Sequence, residues 1–238
     1  MDLLGTLAGT WGDGTRPKDL YASTVAKAPA RWVPTLVQGL GSSDKRVQNG
    51  CAELLSLLSA DAPALVYAHA ERLRDRLAAQ EPVVRWEAAC TLGNLAHVDD
   101  RGVVVACIPA LAAQLAHESI VLQGHSVRAL GKIAAAHPGE APGILEALVH
   151  AEKHFAGSRV GYLVEAMEVF AATTALQALH APVERFVRRH LASPAASVAK
   201  KAARVMRLLG RAAPKATRKK PSALEARAKA KRARVKRA

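Results

Sequence analysis

The sequence predicts an all-α chain: about five stacked two-helix repeats followed by a basic extension. Three observations carry this. Of 238 residues 50 are alanine and half are hydrophobic, yet aromatics are only 4%. That mixture favours helices and is poor in what strands prefer, and it is too apolar for a disordered chain. Apolar positions recur at i, i+3, i+4 and i+7 or i+8, the helical period. The whole pattern returns every 37–39 residues.

Residues 1–29 lie outside the repeat. Pro17 suits a first helical position, and Leu20, Tyr21, Thr24, Val25 and Ala28 give an amphipathic stripe. A helix capping the open end of the first repeat is expected here. The repeats fill 30–213. Their first helices share the column Leu36, Leu73, Leu111, Leu148, Val187. One turn later come Leu40, Leu77, Leu115, Glu152 and Leu191, where only Glu152 departs. The second helices share Leu55, Leu92, Leu130, Met167, Met206, and then Leu58, Leu95, Ile133, Phe170, Leu209. Every column steps by 37, 38, 37 and 39. Pro63, Pro82, Pro138, Pro142, Pro182 and Pro194 mark the turns. Neither helix of a pair can bury its stripe alone, so stacking must supply the core.

Residues 81–95 read Glu-Pro-Val-Val-Arg-Trp-Glu-Ala-Ala-Cys-Thr-Leu-Gly-Asn-Leu. This segment resembles the second helix of a HEAT unit, and residues 30–213 are similar to the HEAT/armadillo α-solenoids, closest to HEAT repeats. Pro34 and Pro109 stand at equivalent places in first helices, as HEAT units often have. The family's arginine is matched at Arg85 only; Gln48 and Gln123 replace it. The resemblance implies a right-handed α–α superhelix whose second helices line a concave face. It says little of activity, because function lives in sites rather than folds.

On that face the non-core columns are Asn49, Trp86, Gly124, Gly161, Lys200; Gly50, Glu87, His125, Tyr162, Lys201; and Glu53, Cys90, Arg128, Glu165, Arg204. Aromatics and Arg anchor protein interfaces. The candidate partner-binding residues are Trp86, Glu87, Asn94, His125, Arg128, Tyr162 and Glu165. Two readings stand for the aromatics and glycines: a partner groove, or space-filling between closely packed helices.

Catalytic and cofactor signals are weak. His150 and His154 have i, i+4 spacing but no HExxH motif or third ligand, so no metal is expected. Gly5, Gly9, Gly12 and Gly14 are not followed by GK[ST], so no phosphate loop is formed. Cys51, Cys90 and Cys107 are odd in number, lack CxxC spacing and carry no mark of an activated thiolate. His125 beside Glu87 or Glu165 is the one conceivable acid–base pair. An enzyme resembling the HEAT-like DNA glycosylases is disfavoured, since the inner columns hold no Asp and one Trp. No cofactor is expected.

The charge of +14 is uneven. Residues 214–238 hold eleven cations against Glu225 alone, a local +10, which leaves +4 for the rest. Ser222 and Glu225 form a capping-box pattern, but no apolar stripe follows, so this tail is expected to be unfolded when free. Arg218, Lys219, Lys220, Arg227, Lys229, Lys231, Arg232, Arg234, Lys236 and Arg237 are the candidate nucleic-acid contacts, RNA or DNA. Without interleaved aromatics they would grip phosphate irrespective of sequence. A solubilising tail is the plain alternative; membrane binding is disfavoured because no Trp or Phe is present to insert. With no signal-peptide pattern at the N-terminus and no apolar run near the roughly 20 residues of a membrane span, a cytoplasmic location is expected. The leading expectation is a non-catalytic scaffold that binds a macromolecular partner, with a protein partner on its concave face; a nucleic-acid-binding protein is the alternative.

Leu92→Asp should unfold the repeats, because an unpaired buried carboxylate costs several kcal/mol, about the stability of a domain. Loss of the cooperative helical melt by circular dichroism is the expected result.

Overall fold

A computed structural model describes residues 1–210; the tail 214–238, with all its candidate nucleic-acid contacts, lies outside the described residues. The described residues form helices and no strand. Two helices, α1 (Leu3–Ala8) and α2 (Pro17–Ser23), precede the repeats. Five second helices follow the pattern: α4 (Lys45–Asp61), α7 (Pro82–Leu95), α9 (Ile120–Ala136), α11 (Val160–Ala172) and α13 (Ala196–Leu208). The first helices are shorter: α3 (Pro29–Gly39), α5 (Pro63–Tyr67) with α6 (Ala70–Asp75), α8 (Ile108–Ala113), α10 (Ala141–His150) and α12 (His180–Arg188). No helix among the described residues is long and apolar enough to cross a membrane.

The repeat columns are the core. Leu55, Leu92, Leu130, Met167 and Met206 are completely buried, as are Leu36, Leu111, Leu148 and Val187. Each second helix packs extensively on the next, α4 on α7, α7 on α9, α9 on α11 and α11 on α13, while successive first helices touch at few residues. Close spacing on one side and splaying on the other curve the stack, with the second helices inside. Small residues allow this approach. A Cβ on Gly93 of α7 would lie 2.8 Å from the Ala129 Cα of α9, so nothing larger fits without parting the helices.

The first helices depart from the expected single rod. In the second repeat the helix breaks at His69, giving α5 and α6. Several end in a 3₁₀ turn, Arg76–Ala78, Gln114–Ala116 and Ala151–His154, which carries the second-turn column. Leu77 and Leu115 are buried there. Glu152 departs because the next repeat supplies charge: Arg189 donates to its Oε2 at 2.7 Å, and His190 Nε2 stands 3.2 Å from Oε1.

The interrupted arginine column also has a physical account. Arg85 Nε donates to the Ala79 carbonyl at 2.9 Å, Gln123 Nε2 to the Leu115 carbonyl at 3.0 Å, and Gln48 Nε2 to the Ser42 carbonyl. Glutamine and arginine thus perform one task. Each closes a carbonyl left open at the end of the preceding first helix.

The N-terminal end holds more than the expected capping helix. Leu20 and Val25 are buried, and the Tyr21 hydroxyl donates to Asp61 at the end of α4. The added α1 seats Leu7 in the notch at Gly50, where a Cβ would be 2.6 Å from Leu7 Cδ2. Arg46 Nη1 donates to the carbonyls of Ala8 and Gly9, which ties α1 to α4.

A buried carboxylate fixes the turn between the second and third repeats. Asp99 accepts from the Tyr67 hydroxyl at 2.7 Å and from the Val104 and Val105 amides at 3.0 Å each, and its side chain is fully buried. Burial raises its pKa, but these hydrogen bonds, with His137 nearby, more than offset that and hold it below the ordinary carboxylate value. Asp99→Ala strands one hydroxyl and two amides. It should cost about 3 kcal/mol at neutral pH and lower Tm by roughly 6–12 °C. A depressed folded-state pKa stabilises above the unfolded value, and the benefit is lost as pH falls through the folded one. The gap between wild type and variant should therefore narrow below about pH 4, as read by melts across acid buffers.

Candidate partner-binding groove

The inner ridge is set by what remains once the core columns are buried. The structure joins three of the seven candidate residues in one network and places a fourth, Asn94, in another. Arg128 Nε of α9 donates to Glu165 Oε1 of α11 at 3.0 Å, and Lys201 Nζ of α13 donates to Glu165 Oε2. Burial raises the Glu165 pKa, but the two cations outweigh it, so the carboxyl sits below its ordinary value. The Arg128 guanidinium also lies over the Tyr162 ring, 5.4 Å from its centre. Asn94 belongs to a separate link: its Nδ2 donates to the Ser59 hydroxyl at 2.9 Å and to the Ser56 carbonyl at 3.3 Å, while Lys132 donates to its Oδ1.

Two of the ridge glycines are filled by the protein itself. A Cβ on Gly124 would stand 3.1–3.4 Å from three Tyr162 ring atoms, and one on Gly161 would be 3.5 Å from Val198 Cγ2. The space that glycine could have left for a partner is occupied by the following repeat at Gly124 and by α1 at Gly50, whereas at Gly161 a Cβ would make only ordinary contact and a cleft stays open beside it. The accessible groove therefore avoids the N-terminal half of α4 and begins at its C-terminal end, at Ser59 and Ala60. A hollow of about 510 Å³ runs across the C-terminal halves of α4, α7, α9 and α11, with Gly93, Asn94, Lys132 and Val169 in its lining. Ser59 and Lys132 belong to it, and sequence reading missed both. Lys132 falls one repeat after Asn94 in the same column, which was the available signal.

Charge divides along the ridge. At the N-terminal end burial raises the pKa of Glu53, and burial plus the Glu53 charge raises that of Glu87. Trp86, beside Glu87, is half-buried. Towards the C-terminus cations dominate: Arg128, Lys132, Lys200, Lys201 and Arg204, with Glu165 and the Arg204-paired Glu168 between them. His125 makes no hydrogen bond to Glu87 or Glu165, and burial with Arg128 and Lys132 nearby lowers its pKa. The conceivable acid–base pair is thus not assembled. Burial pushes Cys51 up to about 12 and Cys107 up to about 11, the reverse of an activated thiolate. His150 is engaged with Lys153 at 2.9 Å, and no group of three or more metal-ligating side chains occurs among the described residues.

No family model matches the chain, and no curated protein matches its sequence. Solved structures match its shape. A designed armadillo repeat protein in complex with the peptide (KR)4 superposes with a TM-score of 0.62 at 14% identity, covering 88% of this chain and 100% of that one. An engineered protein gives 0.61 at 22% identity over 88% and 98%. The karyopherin Kap121p, bound to the extreme C-terminus of the phosphatase Cdc14p, gives 0.60 at 15% identity over 87% of this chain and 23% of its own. The fold of this chain is an armadillo/HEAT-like α-solenoid.

Proposed function

We propose that this chain is a non-catalytic scaffold that holds a segment of another protein along its inner ridge, while the basic tail adds sequence-independent contact with nucleic acid. One observation carries the first half: the second helices align side chains of mixed chemistry around an open hollow of about 510 Å³, on the face with the closest packing. Solenoid repeats present such surfaces to extended partners. Two solved solenoids of the same shape carry peptides, one (KR)4 and the other a protein C-terminus. Asn94 and Lys132 are the expected polar contacts within the hollow, and Trp86, nearer the start of α7 and outside that lining, is the expected anchor beside it.

Selection of random-sequence peptides on the full chain tests this reading. Trp86→Ala with Lys132→Ala should weaken the selected peptides about tenfold, the loss of one anchor residue, and leave the melting temperature within a degree or two. Unchanged affinity would place the peptides elsewhere.

The tail's density of cations supports the second half. If about six phosphates are engaged at once, log K should fall against log salt with a slope near −5 on duplex DNA. Replacing Arg227, Lys229, Lys231, Arg232, Arg234, Lys236 and Arg237 by Gln in the full chain should flatten that slope. Equal slopes would leave the tail as a solubilising extension. A chain that is chiefly a nucleic-acid binder, groove included, would keep most of its affinity after this change.

A further inference from the structure

Two of the few large apolar side chains exposed among the described residues are neighbours, Ile120 at 46% and Val121 at 45%. They open α9 beside a cleft of about 340 Å³ lined by Ile120, Ser158, Arg159, Gly161, Tyr162 and Lys201. The cleft joins the N-terminal ends of α9 and α11 to α13, at the edge of the inner ridge. Apolar exposure costs solubility and stabilises nothing within this chain. The cleft itself holds two cations, Arg159 and Lys201; the exposed Lys200 precedes Lys201 on α13 and stands outside the lining. Lys201 shares Glu165 with Arg128, whereas Arg159 and Lys200 have no acidic partner among the described residues. Glu118, just before α9, is the opposing charge at this edge.

We propose that this cleft docks an acidic segment of a partner protein, seating one aliphatic side chain against Ile120 and Val121 and carboxylates against Arg159, Lys200 and Lys201. This rests on the reading of the inner face as a protein-binding surface and specifies the charge of what binds there. It is the opposite charge to the (KR)4 peptide of the designed solenoid. Nucleic acid fits less well. Bases need a free aromatic face, and the Tyr162 ring is already engaged by the Gly124 backbone and the Arg128 guanidinium. An aliphatic pair serves a leucine-like side chain, and a phosphate backbone gains nothing from it. A polyanion continuing along the ridge would also meet Glu53 and Glu87.

The test uses the full chain and three fluorescein-labelled probes: a short peptide with one Leu between runs of Glu, the same peptide with Lys for Glu, and oligo-dT. Ile120→Ser with Val121→Ser should weaken the Glu peptide about fivefold and leave oligo-dT unchanged, since the tail is intact and no charge is altered. Arg159→Glu with Lys200→Glu should weaken it about tenfold. Arg159→Gln with Lys200→Gln, about threefold, substitutes should the reversal impair folding. Glu-peptide affinity that ignores both variants overturns the proposal, as does equal affinity for the Lys peptide. Equal loss of oligo-dT on the serine pair names nucleic acid as the occupant instead. Binding of the Lys peptide that is lost on Trp86→Ala, but not on the cleft variants, refutes the acidic segment and leaves the groove reading standing.

Discussion

Everything in this molecule depends on how closely the second helices approach one another. None of the helix pairs can hide its apolar stripe alone, so the chain is stable only as a stack. The stack closes because small residues stand where α7 and α9 meet: Gly93 presses on Ala129, with Ala88 and Ala89 buried alongside. The first helices have no such constraint. They are short, one is interrupted and three are finished by 3₁₀ turns, and the difference in spacing between the two sides bends the stack. Curvature, and with it the inner ridge, follows from packing rather than from any binding residue.

That dependence explains what could be read from the sequence. Core columns such as Leu55 to Met206 were legible because burial at a fixed spacing leaves a periodic mark. The break at His69 was not, since no proline or glycine announces it. Helix α1 was hidden for a related reason: Gly5 and Gly9 weaken its local signal, and its stability comes from Leu7 lying in a notch at Gly50, more than forty residues away. The role of Asp99 left no mark in the sequence. Its partner Tyr67 is 32 residues earlier and His137 is 38 later, a distance no local pattern spans.

The ridge was legible in composition but not in arrangement. Its columns named Arg128, Tyr162 and Glu165 together, and the structure joins all three. At Gly124 and Gly50 the space-filling reading holds, because Tyr162 and Leu7 from neighbouring elements occupy those notches. This shifts the open groove towards α7, α9 and α11 and brings in Lys132 and Ser59. Polarity along the ridge, acidic near Glu53 and Glu87 and basic beyond Arg128, emerges only when the repeats are stacked. The evenly spread charge of the folded part conceals it.

The central claim is that partners lie against the second helices and not the first. Hydrogen–deuterium exchange of the full chain, with and without a selected peptide, tests it most directly. Protection confined to the second helices, strongest in α7, α9 and α11, with exchange in α5, α6, α8 and α10 unchanged, is the result this account predicts. Protection concentrated on the first helices, around the convex hollow between Leu145 and Pro182, would contradict it.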